Sequence, residues 1–179
     1  MQIELLFKDK SFKPKERTEQ LSRLIEQQKI GVDELVAFAK LAKEPVKAGC
    51  IESLEHVTKT HPEHMTSTAL SFVIDSLAAK APRVKWESAR VIGNCIHLFP
   101  ANIPGAVTKL LDNTEHEGTV VRWSAAFALS QILLLKTGIN SQLVSAAEAI
   151  VAREEKNSIK KIYLAALKKI IPGKPATLK

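Results

Sequence analysis

Aromatic residues are scarce in this chain, at 5% of its 179 residues, and only seven residues are glycine. Ala, Leu, Lys and Glu are abundant instead, and these residues favour helices over the packing that sheets need. The composition therefore predicts an all-α fold and argues against sheet folds. With 45% apolar residues, a chain of this length can bury the core of a single domain.

Cysteine and long apolar runs are also rare. The two cysteines, Cys50 and Cys95, lie in apolar segments without a CxxC spacing, which is typical of reduced packing residues. No apolar run approaches the roughly 18 residues of a membrane span. The apolar stretch from Ile3 to Phe7 is too short for the apolar region of a signal peptide. We therefore expect a cytoplasmic protein that does not enter a membrane.

Motifs for catalysis or cofactor binding are absent from the sequence, which has no GxSxG, no glycine-rich phosphate loop and no HExxH. His56, His61 and His64 cluster near Glu55 and Glu63. The stretch from His61 to His64 falls in an expected loop, which gives metal ligands no rigid frame. We therefore expect no enzyme activity, no cofactor and no metal site.

Positive charge is concentrated at one end of the chain. The net charge is +7, and the stretch from Arg153 to Lys179 holds eight basic residues and two acidic ones. These cations either solvate the last helices and complement the helix dipoles, or form a docking patch for an acidic partner. The sequence leaves both interpretations open.

A repeat is the main feature that is present. Four segments superimpose, and each begins with a β-branched apolar residue followed by Lys or Arg, with separations of 38, 37 and 38 residues. Apolar residues then recur at helical spacing, so that one face of each helix is expected to be buried. The four stripes are Val46, Cys50, Leu54, Val57; Val84, Ser88, Ile92, Cys95; Val121, Ala125, Leu129, Ile132; and Ile159, Tyr163, Leu167, Ile170. A period of this length predicts one helical hairpin per repeat.

The first helices of these hairpins are expected at about 32–43, 66–80, 103–113 and 141–153, between joints that contain Pro, Gly or Asn. The repeats then span about 32–60, 66–99, 103–136 and 141–171 of a single domain over residues 1–171. An earlier helix near 16–29 is expected to cap the first hairpin, with Gly31 as its left-handed C-terminal residue. For residues 1–15 the pattern does not decide between helix and extended chain, and 172–179 is expected to be a flexible tail.

The start with Val and a basic residue, the cluster of small residues and the closing Leu or Ile resemble the second helix of HEAT repeats. The clearest copy is GTVVRWSAAFALSQI at 118–132. The resemblance covers about 32–171 and implies a right-handed α-α superhelix of about four HEAT-like hairpins plus an N-terminal capping helix. Such repeats carry an Asp shortly before the Val-Arg pair, and this chain lacks it, so a complete ladder of buried ion pairs is not expected.

Trp86 and Trp123 occupy equivalent repeat positions off the buried stripes, and Arg90 and Phe127 follow one turn later. In HEAT proteins the second helices line the concave side, so the resemblance implies a groove lined by these four residues, with Glu52 and Lys161 beside them. Aromatic and Arg side chains are common anchors of binding hot spots. The alternative is that both indoles fill the seam between repeats.

The leading hypothesis is a non-catalytic scaffold that binds a protein or peptide through its groove, at Trp86, Arg90, Trp123, Phe127 and Lys161. The alternative is a nucleic-acid-binding protein related to the HEAT-like alkylpurine DNA glycosylases. That family needs an Asp beside a groove Trp, and this chain lacks one, so glycosylase activity is not expected. The sequence decides neither the partner nor the oligomeric state.

Overall fold

The computed structural model describes residues 2–170, in which it shows ten α-helices and no β-strand. The helices are α1 (Gln2–Lys8), α2 (Pro14–Glu26), α3 (Val32–Leu41), α4 (Glu44–Thr60), α5 (Ser67–Ser76), α6 (Pro82–Cys95), α7 (Ile103–Asn113), α8 (Thr119–Leu134), α9 (Asn140–Arg153) and α10 (Asn157–Ile170). The all-α prediction is therefore confirmed. The tail predicted at 172–179 lies outside the described residues.

The helices form two layers. Each odd-numbered helix packs against the even-numbered helix that follows it, and the even-numbered helices pack on one another in chain order from α2 to α10. Helices α1, α3, α5 and α7 form the second layer in the same way. This arrangement of stacked hairpins is an α-solenoid, in which each repeat buries its apolar face against its neighbours.

The N-terminal end differs from the predicted single capping helix. Helix α1 pairs with α2, so the described chain has a hairpin before the four repeats. Tertiary contacts hold α1, whose seven residues are too few for a clear pattern. The ring of Phe7 stacks on Phe38 with a centroid distance of 5.5 Å. The guanidinium of Arg17 lies 5.4 Å from the centre of the Phe7 ring and also donates to the Leu6 carbonyl.

The predicted left-handed cap at Gly31 is wrong. Gly31 has an extended backbone, with φ of −75°, and precedes the first residue of α3. Helix α2 ends earlier, at Glu26, and the left-handed residue is Gln28, with φ of 56°. The turn is stabilised by backbone N–H groups of Lys29 and Ile30 that both donate to the Leu24 carbonyl. The chain therefore reverses before it reaches the glycine.

The four apolar stripes are buried as predicted. Ser88, Ile92, Cys95 and Leu129 have 0% exposure, and only Val46 and Ile170, at the ends of their stripes, are partly accessible. Burial raises the pKa of the Cys50 and Cys95 thiols to about 12. Both cysteines therefore stay protonated at neutral pH and act as packing residues.

In two of the four repeats, the basic residue near the start of the second helix forms hydrogen bonds that stabilise the stack. The Nζ of Lys85 donates to the Leu77 carbonyl at 2.9 Å and to Asn113 Oδ1 at 3.0 Å. Arg122 donates to both carboxylate oxygens of Glu154, at 2.9 and 3.3 Å. The acidic partner missing before the Val-Arg pair is therefore supplied by the next repeat. Burial acts to raise the pKa of Glu154, but the hydrogen bonds from Arg122 and from the Lys156 backbone N–H, together with the Arg122 charge, outweigh it and hold that pKa below its ordinary value.

Within residues 2–170, none of the helices combines the length and the apolar character that crossing a bilayer requires.

Candidate partner-binding surface

The solvent-exposed side of α2, α4, α6, α8 and α10 is called the even-helix face. Its aromatic centre is on α8, where Trp123 and Phe127 lie one turn apart. Their rings are nearly parallel, at 8°, with centroids 6.2 Å apart. Trp123 is 39% exposed, which is unusual for so large an apolar side chain, and Phe127 is half-buried beneath it. Trp123 is therefore not buried in the seam between repeats, and one side of its indole is packed while the rest is accessible to solvent.

The ring of Phe127 packs directly over a glycine on the neighbouring helix. A Cβ atom added to Gly93 of α6 would lie 2.8 Å from Phe127 Cδ1 and 3.2 Å from Phe127 Cζ, and closer still to Cε1. Carbon atoms normally approach no closer than about 3.5 Å. The Phe127 ring therefore occupies the space that any other residue at position 93 would need.

Trp86 lies on α6 at the repeat position equivalent to Trp123, but it is half-buried and its indole is bound. Its Nε1–H donates to Glu87 Oε1 at 2.9 Å. Glu87 itself is only 5% exposed. Burial raises the pKa of Glu87, and the nearby carboxylates of Glu52 and Glu55 act in the same direction, whereas the Trp86 hydrogen bond and Arg90 oppose the shift.

Arg90 forms the second polar contact of this region. One of its guanidinium nitrogens lies 2.8 Å from Glu55 Oε1 on α4, and the other lies 3.8 Å from Glu87 Oε2. Lys59 also approaches Glu55 Oε1, at 2.9 Å. Glu55 is 1% exposed, so these cations stabilise a carboxylate that burial would otherwise disfavour.

A further ion pair ties three even-numbered helices together. Glu52 Oε2 on α4 accepts hydrogen bonds from Arg83 of α6 at 2.6 Å and from Thr18 Oγ1 of α2 at 3.0 Å. The seam between α4 and α6 is therefore joined by paired charges, whereas the seam between α6 and α8 is filled by Phe127 over Gly93.

The last even-numbered helix presents small and basic side chains. Lys161, Ala165 and Lys168 of α10 are all exposed. Lys161 has the repeat position of Trp123, and Ala165 has that of Phe127. The even-helix face thus changes from paired charges on α4 and α6, to aromatic rings on α8, to lysines on α10.

The five residues predicted as a site therefore differ in their surroundings. Trp123 and Phe127 contact each other, Trp86 and Arg90 are engaged by buried glutamates, and Lys161 is exposed on α10. Sequence reasoning missed Glu55 and Glu87. Glu87 could have been identified from the repeat alignment, because the equivalent residues of the other repeats, Gly49, Ser124 and Ile162, are all uncharged.

Of the histidines that cluster in the sequence, His61 and His64 form a compact group with Glu63 in the described part of the chain, whereas His56 lies near Glu55. The ligand atoms of His61, Glu63 and His64 lie within 4.8 Å of one another, and the His61 Nδ1 is 3.1 Å from Glu63 Oε1. His61 and Glu63 are exposed and His64 is half-buried, and all three belong to one short turn, Pro62–His64 and the residue before it. The turn supplies no buried groups to orient these side chains, and the absence of a metal site stays a prediction.

No protein-family model matches the chain, and no curated protein matches its sequence. Solved structures do match. An engineered protein from the Northeast Structural Genomics Consortium is 21% identical with a TM-score of 0.76, over 94% of this chain and 78% of the engineered one. A designed armadillo repeat protein in complex with the peptide (KR)4 is 18% identical with a TM-score of 0.75, over 94% of this chain and 80% of the designed one. These similarities confirm the predicted armadillo- and HEAT-like helical repeat fold.

Proposed function

We propose that this armadillo-like helical repeat protein is a non-catalytic scaffold that holds a protein or peptide partner on its even-helix face. The observation that carries the proposal is the exposed indole of Trp123, which stacks on Phe127. Both rings belong to α8, which lies between α6 and α10 in the stack. Large exposed aromatic side chains at such positions are frequent hot spots of binding surfaces. Trp86, Arg90 and Lys161 flank this pair on the neighbouring helices.

The surface is suited to binding because its side chains are already fixed. Gly93 leaves a place for the Phe127 ring, Phe127 supports Trp123, and Glu87 holds the Trp86 indole by a hydrogen bond of 2.9 Å. A partner that docks on fixed side chains loses less conformational entropy than one that must order them. The arrangement therefore favours affinity from a small contact area.

The comparison with solved structures supports a binding role in general terms. The designed armadillo repeat protein that shares this fold was solved with a peptide bound. Repeat proteins of this type form extended surfaces suited to linear segments. At 18% identity the similarity concerns the fold, so the residues that bind are argued from this chain alone.

A non-catalytic role agrees with the state of the nucleophiles. Cys50 and Cys95 are buried and unpaired, and their thiol pKa values are raised to about 12, so neither supplies a thiolate at neutral pH. Free buried thiols also agree with the cytoplasmic location expected from the sequence.

Nucleic-acid binding is the second candidate, and the exposed lysines of α10 favour it. A nucleic acid would follow a basic track and stack its bases on Trp123. The cations of α4 and α6 near this face, Lys59, Arg83 and Arg90, pair with glutamates, so the track does not continue across the stack. We therefore rank a protein or peptide partner first.

The test is a selection from a random twelve-residue peptide display library on the immobilised full-length chain, followed by solution titration of the enriched peptides. We expect Trp123→Ala to weaken their binding by about thirtyfold or more, the usual effect of losing an aromatic hot spot. The matched control is Leu41→Ala, because Leu41 is an apolar residue that is 92% exposed on α3 of the other layer.

Enriched peptides whose affinity falls with Trp123→Ala and not with Leu41→Ala would support the proposal. Failure to enrich any peptide above background would refute it. Equal effects of the two substitutions would also refute it, because binding would then not depend on the even-helix face.

A further inference from the structure

Helix α10 has an unbalanced charge. It contains Lys160, Lys161, Lys168 and Lys169 and no acidic residue. Lys161 and Lys168 are exposed and form no ion pair within the chain from residue 2 to residue 170. They are seven residues apart, so they lie about 10 Å from each other along the helix. Between them the exposed methyl of Ala165 leaves the surface of the helix flat.

The neighbouring helices α4, α6 and α8 have no such excess. On α4 and α6, Glu52 pairs with Arg83 at 2.6 Å, and Glu55 pairs with Arg90 at 2.8 Å. Helix α8 contains no acidic residue and one basic residue, Arg122, which is bound to Glu154. Among the described residues of α4, α6, α8 and α10, the exposed cations that lack an ion pair are therefore on α10, beside the aromatic pair.

The aromatic pair and the lysines are neighbours. Helices α8 and α10 pack directly on each other, and Ser130 Oγ donates to the Ile162 carbonyl at 3.4 Å. Packed helices have their axes about 8–10 Å apart. An extended chain advances about 3.3 Å per residue, so two or three residues of a partner would cross from α8 to α10.

We propose that the partner segment is acidic and carries a large apolar residue two or three positions from an Asp or Glu. The apolar residue sits on Trp123 and Phe127, and the carboxylate meets Lys161 or Lys168. This assignment rests on the proposed function and adds the chemistry of the partner to it. The apolar contact supplies most of the affinity, and the lysines select for charge and fix the position of the segment.

A phosphate backbone would be attracted by the same lysines, but the surroundings favour a short acidic peptide. Beyond α8, the cations Arg83 and Arg90 are already paired with Glu52 and with the buried Glu55. A nucleic acid that extends across these helices would bring phosphates towards paired charges that offer no free cation. A short peptide with one or two carboxylates, in contrast, requires no cations beyond the lysines of α10.

The peptides recovered in the selection described above test this inference. We expect them to be enriched in Asp and Glu at two or three positions from a large apolar residue. One recovered peptide is then titrated in three forms, with its acidic residues retained, replaced by Gln or Asn, or replaced by Lys. The acidic form should bind about tenfold more tightly than the neutral form at low salt, and this advantage should shrink as salt screens the exposed charges.

The paired variants are Lys161→Glu with Lys168→Glu and, as a control of equal charge change, Lys29→Glu with Lys40→Glu. Lys29 and Lys40 are exposed but lie away from the even-helix face, in the turn before α3 and on α3 itself. The first pair should weaken the acidic peptide by about tenfold or more at low salt, and the control pair should leave it nearly unchanged. Melting curves of both double variants establish that they are folded.

Recovered peptides that depend on Trp123 but are neutral or basic would overturn this inference and leave the proposed function standing. So would equal binding to the two double variants. A twelve-nucleotide single strand that binds more tightly than the acidic peptide, and that loses affinity with Lys161→Glu and Lys168→Glu, would overturn it in favour of a nucleic acid. Failure to recover any peptide would instead refute the proposed function.

Discussion

Replacing Gly93 by Ala tests the packing that places the aromatic pair. In the middle of a helix, Ala is ordinarily more favourable than Gly by about 0.5–1 kcal/mol. Here the new Cβ would lie 2.8 Å from Phe127 Cδ1, with no space unless the ring moves. Overpacking of this kind costs about 1–3 kcal/mol. We therefore expect Gly93→Ala to lower the free energy of unfolding by about 0.5–2 kcal/mol.

A Phe127→Ala background and a second glycine isolate the cause. In a Phe127→Ala background the ring is gone, so Gly93→Ala should instead raise the free energy of unfolding by about 0.5–1 kcal/mol. Gly49 of α4 is the matched control, because a Cβ there would meet Phe7 at an ordinary 3.6 Å. Gly49→Ala should therefore stabilise the protein in either background.

Urea denaturation followed by circular dichroism measures the free energy of unfolding of the wild type and of each variant. The double-mutant cycle between positions 93 and 127 should give a coupling energy of about 1–3 kcal/mol. If Gly93→Ala stabilises the wild-type chain as much as it stabilises the Phe127→Ala chain, the ring does not occupy the space above the glycine. The support of Trp123 by Phe127 would then be wrong as well.

Three other predictions concern stability. Leu129→Ala should destabilise by about 2–5 kcal/mol, because Leu129 has 0% exposure, and an unchanged thermal melting curve would contradict its place in the core. Arg122→Ala should lower the free energy of unfolding by about 1–3 kcal/mol in urea denaturation, since it removes the hydrogen bonds to Glu154. Because the pKa of Glu154 is lowered, the stability that this carboxylate contributes is present above pH 4.5 and is lost as the pH falls further. At Glu87 the pH dependence of stability should have the opposite sign, and Glu87→Gln should remove it. The pKa of Glu87 is raised above its ordinary 4.5, so just above pH 4.5 the folded wild type binds a proton that the unfolded chain has lost. The wild type should therefore lose stability relative to the variant as the pH rises from 4.5. Parallel pH–stability curves for wild type and variant would count against this reasoning.

The fold was predictable because periodicity is a property of the whole chain. Basic residues at 47, 85, 122 and 160 mark the same turn of α4, α6, α8 and α10, and the first helices begin within one residue of the expected positions. Helix α1 was not predictable, since its seven residues are held by the contacts of Phe7 with Phe38 and Arg17. Such contacts join residues far apart in the sequence and leave no local pattern.

The surface was predictable only in part. Equivalent repeat positions placed Trp86 and Trp123 on comparable turns, but not their different surroundings. Glu87 binds one indole, whereas the other stacks on Phe127. The pairing of Arg122 with Glu154 was also missed, because a carboxylate 32 residues downstream replaces the acidic residue expected just before the Val-Arg pair.

The most direct test of the binding surface is an NMR titration of the two indole N–H signals with a peptide recovered from the selection. The chain has two tryptophans, so Trp86→Phe and Trp123→Phe assign the signals without ambiguity. We expect the Trp123 signal to shift progressively and to saturate at the same concentration as the binding curve. A peptide that binds fully while the Trp123 and Trp86 signals both stay unshifted would contradict the account, because the partner would then lie elsewhere on the protein.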